Sequence, residues 1–247
     1  MNAQTLKAIK AHAIAEYPRE SAGLVVAVGR KEIYRPCRNL ASGDDHFMIG
    51  AEDSAAAEDA GQIVAVVHSH PNATAQPSQA DRVACERYGL PWLIVSVMPG
   101  PEVAEIRRIE PEGYEAPLIG REFSHGVLDC YAIVRDFHRR ELGNELPDHD
   151  RADEWWNDGT SNLYLDQYEK DGWVPVSEGE PLKVGDMVLM QIRSGNGVPN
   201  HAGVICGFEA GRPHMIHHLH GMRSERVPYG GYYAEVTQLV VRYIPPK

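Results

Sequence analysis

Two short stretches of this chain hold the residue types that hydrolytic chemistry uses. The first is HSHPNATAQPSQAD, residues 68–81. His68 and His70 stand two apart at the end of an apolar, β-branched run, and the strand period of two turns both imidazoles to one face. Asp81 follows at the start of a predicted helix. Two imidazoles and one carboxylate make a three-ligand zinc site with a fourth position open to water, the pattern of catalytic rather than structural zinc. Zn2+ brings a bound water towards a pKa of about 7. A base must then take the water's proton. Glu20, in PRESAGLVV just before an apolar strand, is the candidate, and Ser78 is the candidate donor to the developing oxyanion. Each piece has a plain alternative. Ser78-Gln79-Ala80-Asp81 fits a helix capping box, an HxH pair can be two core or surface histidines, and Glu20 can be a solvated carboxylate. The joint occurrence in this order is what points to a metal centre.

The second stretch is GVLDCYAIVRDF, which places Cys130 at the predicted start of a helix. Free N–H groups and the helix dipole stabilise a thiolate there. His201, in NHAGVIC, opens an apolar strand, and His217, in HMIHHLHG, lies on the next apolar segment. Neighbouring strands can set them side by side, so that His217 orients His201 through its other ring nitrogen. Histidines crowd residues 214–220, which leaves this third member open; strand alternation puts His217 and His218 on opposite faces. The alternative for Cys130 is a core filler on an apolar helix. Asp129 opposes a thiolate if it turns inward and caps the helix if it turns away. Trp155-Trp156, with Tyr164 and Tyr168, reads as packing of a long loop, with a glycan or peptide platform as the alternative.

The elements that must position these groups follow from pattern. A helix is predicted over residues 6–17, closed by Pro18, then strands over 23–28 and 31–35 joined at Gly29-Arg30. A buried strand covers 63–68, a helix 79–88 and another strand 93–98. Pro99, Gly100, Pro101, Pro111, Gly113 and Pro117 then punctuate the chain, placing a boundary near 110–120. A helix is predicted from Cys130 to Gly143, and apolar strands at 187–192, 202–206, 215–216 and 239–243. At 247 residues the chain suits two ordinary domains. A net charge of -11 argues against a duplex nucleic-acid partner, which needs a basic face. No run approaches the ~20 apolar residues of a membrane span, and Lys7, Lys10 and His12 interrupt any secretory core. The four cysteines form no CxxC pair and read as free thiols of a reducing compartment.

Taken together, Glu20, His68-Ser69-His70, a seven-residue spacer opening with Pro71, and Ser78 through Asp81 resemble the JAMM (MPN-type) metalloproteases over about residues 1–110. The resemblance implies a cytidine-deaminase-like α/β domain, Zn2+ held by His68, His70 and Asp81, Glu20 as general acid/base, Ser78 at the oxyanion, and amide or isopeptide hydrolysis. Asp129-Cys130, Gly185-Asp186, His201-Ala202-Gly203-Val204 and Ile216-His217 resemble the NlpC-type cysteine peptidases of the papain clan over roughly 115–245. Cys130-Tyr131-Ala132 departs from the Cys-Ser-Gly of many members. That resemblance implies an α+β papain-like domain cleaving peptidoglycan stem peptides, often between D-glutamate and a diamino acid. The domains expected are 1–112 and 113–247. In this order, with GREFSHGVLDCYAIVRDFHRRELG, the Trp pair and the YGGYY segment, nearly the whole chain resembles the K-type tail assembly proteins of lambdoid phages. The implied setting is synthesis in the host cytoplasm, a place at the virion tail tip, other tail-tip proteins as partners, and action at the cell wall without membrane insertion. The rival expectations are a non-enzymatic scaffold or assembly factor that retains both peptidase folds, and a host isopeptidase acting on a small protein modifier.

Overall fold

Contacts divide the chain into two units, Met1–Glu115 and Ala116–Lys247; the computed structural model describes residues 1–42 and 46–245. In the first unit, α1 (Ala3–Glu16) starts where the Asn2 side chain accepts the Thr5 N–H, earlier than the apolar pattern alone suggests. Strands β1 (Ala22–Val28) and β2 (Lys31–Cys37) form a hairpin that turns at Gly29, φ +61°. Then come α2 (Ala51–Ala60), β3 (Gln62–Pro71), α3 (Gln79–Tyr88), β4 (Trp92–Met98) and β5 (Glu102–Ile109). The sheet order is β2-β1-β3-β4-β5, antiparallel except for the parallel pair β3/β4. A parallel neighbour needs a crossover, and α3 lies in that connection.

Ile9 and Ala13 of α1 pack against Val25, Ala65, Val67 and Val95 on one face of the sheet. Alternation along β3 therefore turns His68 and His70 to the other face. At Gly23 a Cβ would fall 2.3–2.5 Å from atoms of the Tyr34 ring, so only glycine lets that ring lie across β1. Two elements of this unit escaped the sequence reading. Helix α2, AEDSAAAEDA, buries Ala57 alone and carries no apolar stripe. Strand β5, EVAEIRRI, is an edge strand with no fully buried residue.

The second unit contains α4 (Cys130–Phe137), α5 (Leu163–Gln167), β6 (Trp173–Pro175), β7 (Met187–Met190), β8 (His201–Glu209), β9 (Arg212–His217), β10 (Glu225–Pro228), α6 (Tyr232–Glu235) and β11 (Thr237–Tyr243). Its sheet, β10-β9-β8-β7-β11-β6, is antiparallel throughout. Helix α4 lies on β8 and β9, burying Ile133, Val134 and Phe137 against Leu189, Val204 and Ile216. The α geometry stops at Phe137, and His138–Leu142 continues as a wider π turn closed by Gly143. The buried His138 ring meets the Gly185 carbonyl at 2.9 Å there. Gly185 (φ +94°) opens β7, and Asp186 accepts Arg242 Nε at 2.7 Å and Nη2 at 2.8 Å, which ties β7 to β11. The architecture is α/β followed by α+β.

Candidate active sites

His68, His70 and Asp81 meet on the face of the first sheet opposite α1. His68 Nε2 lies 3.0 Å from His70 Nε2 and 3.1 Å from Asp81 Oδ1, and His70 Nε2 lies 3.3 Å from Asp81 Oδ2. These donor atoms form a group that could hold a metal ion. The chemistry of the set fits zinc. His70 Nδ1 sits 3.0 Å from the Thr74 carbonyl, which only accepts, so the proton is on Nδ1 and the Nε2 lone pair faces the group. His68 Nδ1 is buried without a hydrogen-bond partner among the described residues. Burial pushes the Asp81 carboxyl up, but the two histidines outweigh it and hold the group well below the usual carboxylate range. Burial pushes His70 down, and the bond to Asp81 outweighs it, leaving a raised pKa.

Asp81 does a second job. Its Oδ2 accepts the Ser78 N–H at 2.7 Å while Ser78 Oγ accepts the Asp81 N–H at 3.0 Å, a reciprocal capping box that starts α3. The capping box therefore leaves Asp81 still in contact with His68 and His70. Glu20 is brought alongside by main chain: Ser21 N–H donates to Ser69 Oγ at 2.8 Å, Ser69 N–H donates to Ser21 O at 3.1 Å, and Ala22 sits opposite His68. Burial raises the Glu20 carboxyl to about 7, against the pull of His68 and His70. That value suits a group exchanging a proton near neutral pH.

Three residues around this site went unread in the sequence. Buried Asn39 donates to the carbonyls of Glu20 and His46, both at 3.0 Å, and accepts the N–H groups of Ala41 and Met48. Phe47 stacks on His68 at 4.8 Å, and Trp92 meets the same ring edge-on. None of the three has a local pattern that marks it.

In the second unit Cys130 is the first residue of α4. Its Sγ lies 3.2 Å from Tyr164 Oη. His201 Nε2 is 3.0 Å from His217 Nδ1. Strands β8 and β9 bring the two rings together because Gly203 lies opposite His217; a Cβ on Gly203 would press on Met215 and Val188 at 2.9 and 3.3 Å. Cys130 and His201 line a cleft of about 520 Å³, with Trp155, Trp156, Tyr164 and His218 among its walls. The aromatic group therefore packs and lines at once: Trp155 and Tyr164 are buried and meet edge-on at 6.0 Å. His218 reaches the cleft wall too, because β9 ends at His217 and strict alternation ends with it.

Asp129 caps α4. Its Oδ1 accepts the N–H groups of Tyr131 and Ala132, and its Oδ2 accepts Gly126 N–H and Arg151 Nε. The first-turn donors that would steady a thiolate are thus already engaged. Burial, reinforced by the Asp129 charge, pushes the Cys130 thiol up to about 11. Burial, reinforced by His217 and His218, brings His201 down to about 3. Burial thus favours a neutral thiol and a neutral imidazole on the walls of the same cleft.

Comparison with known proteins adds the following. Residues 2–110 match the family of prokaryotic homologs of the JAB domain, and residues 120–242 match the NlpC/P60 family. The chain is 44% identical over 247 residues to the tail tip assembly protein K of Escherichia phage N15, covering 98% of this chain and 96% of that protein. It is 39% identical over 180 residues to the tail tip assembly protein K of Escherichia phage lambda, covering 72% of this chain and 80% of that one. A solved structure from Desulfitobacterium hafniense aligns at 22% identity and a TM-score of 0.34, covering 47% of this chain and 92% of that one.

Proposed function

The chain belongs to the family of tail tip assembly protein K, and from that premise we propose that it is a two-site peptidase of the virion tail tip. The thiol site, in residues 113–247, hydrolyses peptidoglycan stem peptides, of the D-glutamyl-diamino acid type, so that a tail can cross the cell wall. The zinc site, in residues 1–112, hydrolyses an amide or isopeptide bond. Its partners are the stem peptides and other tail-tip proteins.

The observation that carries the reading is that Cys130 and His201 line one cleft, with the buried His217 behind His201 at 3.0 Å. His201 accepts the thiol proton as Sγ attacks the substrate carbonyl; the imidazolium then protonates the leaving amine, and water hydrolyses the thioester. Because the pair rests neutral, proton transfer accompanies attack rather than preceding it. Tyr164 Oη, 3.2 Å from Sγ, steers the thiol.

In the first unit His68, His70 and Asp81 would hold zinc, which supplies Lewis acidity and an activated water. Glu20 moves the proton between attacking water and leaving amine, and Ser78 donates to the oxyanion. Ser78 Oγ spends a lone pair on Asp81 N–H, which leaves its own proton to donate.

Mass spectrometry of fragments released from purified peptidoglycan tests the thiol assignment. Wild type should release stem peptides and a folded Cys130→Ala variant none; equal release by both refutes it.

A further inference from the structure

We infer that Glu225 is the fourth member of the thiol site, a positioning residue that keeps the His217 proton on Nε2 and so selects the His201 tautomer able to act as base. The inference deepens the proposed thiol chemistry and rests on it.

One proton lies between the two rings. His201 Nε2 and His217 Nδ1 are 3.0 Å apart, and in the neutral state one nitrogen donates while the other accepts. If His217 donates from Nδ1, His201 carries its own proton on Nδ1 and has no lone pair for the thiol. If His217 accepts, His201 holds its proton on Nε2 and Nδ1 is free to receive one. Only the second arrangement gives a base, and the two rings alone do not favour it.

Glu225 supplies the bias. It sits on β10 directly opposite His217 on β9. Its Oε1 is 3.5 Å from His217 Nε2, an ion-pair distance longer than a good hydrogen bond. His217 is fully buried, and its Nε2 has no hydrogen-bond partner among the described residues. A buried N–H is costly without an acceptor, and a carboxylate beside Nε2 makes that nitrogen the favoured place for the proton. The other groups facing the ring do not compete. Tyr233 of α6 meets it edge-on at 4.9 Å, Gly203 of β8 presents no side chain, and His218 Nε2 is engaged by the Met222 carbonyl at 3.1 Å. As His201 becomes an imidazolium, the same carboxylate offsets its charge through His217. Glu225 is half exposed, with 54% of its side chain accessible, so removing it leaves the core packing intact.

Two measurements on the full chain decide the matter. The first is the rate of Cys130 alkylation by iodoacetamide at pH 7, read by peptide mass spectrometry with Cys206 of the same chain as internal standard. Glu225→Ala should slow Cys130 roughly 10-fold, the low end for losing a carboxylate that orients a ring N–H, because Glu225 is solvated. Glu225→Gln keeps an acceptor oxygen without the charge and should restore most of the rate. The second is the protonated nitrogen of His217, read by long-range 15N–1H correlation and assigned with a His217→Gln variant. It should be Nε2 in wild type and Glu225→Gln, and move towards Nδ1 in Glu225→Ala. An unchanged tautomer in Glu225→Ala, or a Gln variant as slow as the Ala variant, overturns the inference. A wild-type Cys130 no faster than Cys206 instead sinks the thiol peptidase reading, while the tautomer measurement still decides the role of Glu225.

Discussion

Acidification from pH 7 to pH 5 should selectively weaken the second unit. Its cause is two buried histidines held neutral: His201, brought down to about 3, and His218, brought down to about 4, in both cases chiefly by burial. Both are less than a tenth exposed. In the unfolded chain each returns to an ordinary value of about 6.5. Between pH 6.5 and the folded values the unfolded state therefore binds more protons, so stability rises with pH in that window and falls as pH falls through it. At pH 5 each group costs about 2 kcal/mol, about 4 kcal/mol together, a large fraction of a domain's usual 5–15 kcal/mol. His138 and His217 are lowered in the same direction and add to the effect. Urea unfolding followed by tryptophan fluorescence reads this unit, because Trp155, Trp156 and Trp173 lie in it and only Trp92 lies outside. With a slope near ~2 kcal/mol/M the midpoint should drop by about 2 M between pH 7 and pH 5. His201→Gln should lose about half of that drop. An equal or higher midpoint at pH 5, or a His201→Gln variant as acid-sensitive as wild type, refutes the assignment of neutral buried imidazoles.

Three further outcomes follow from the geometry. Purified protein should carry about one zinc per chain by elemental analysis, and the His68→Ala/His70→Ala variant should fall to background; unchanged content removes the metal site. Gly23→Ala drives a Cβ within 2.5 Å of the Tyr34 ring and should destabilise the first unit by about 2 kcal/mol, seen as a lower thermal midpoint. Asp186→Ala strips Arg242 of its two-pronged partner and leaves the Lys183 N–H without its acceptor, which should cost the second unit about 3 kcal/mol in urea unfolding.

Local spacing was enough to mark much of this protein. Strand period put His68 and His70 on one face, the Ser78–Asp81 spacing carried its capping box in plain view, and Cys130 followed a capping aspartate. Those relations span a few residues and depend on backbone geometry alone. Tertiary structure decided the rest. The Glu20 carboxyl near 7, the neutral Cys130 and His201 on one cleft, the Asn39 clamp, Phe47 on His68, Tyr164 on Cys130 and Glu225 behind His217 all depend on residues far apart in the chain. Burial sets the charge state of such groups, and burial depends on which distant segments pack over them, a quantity that no short window of residues contains.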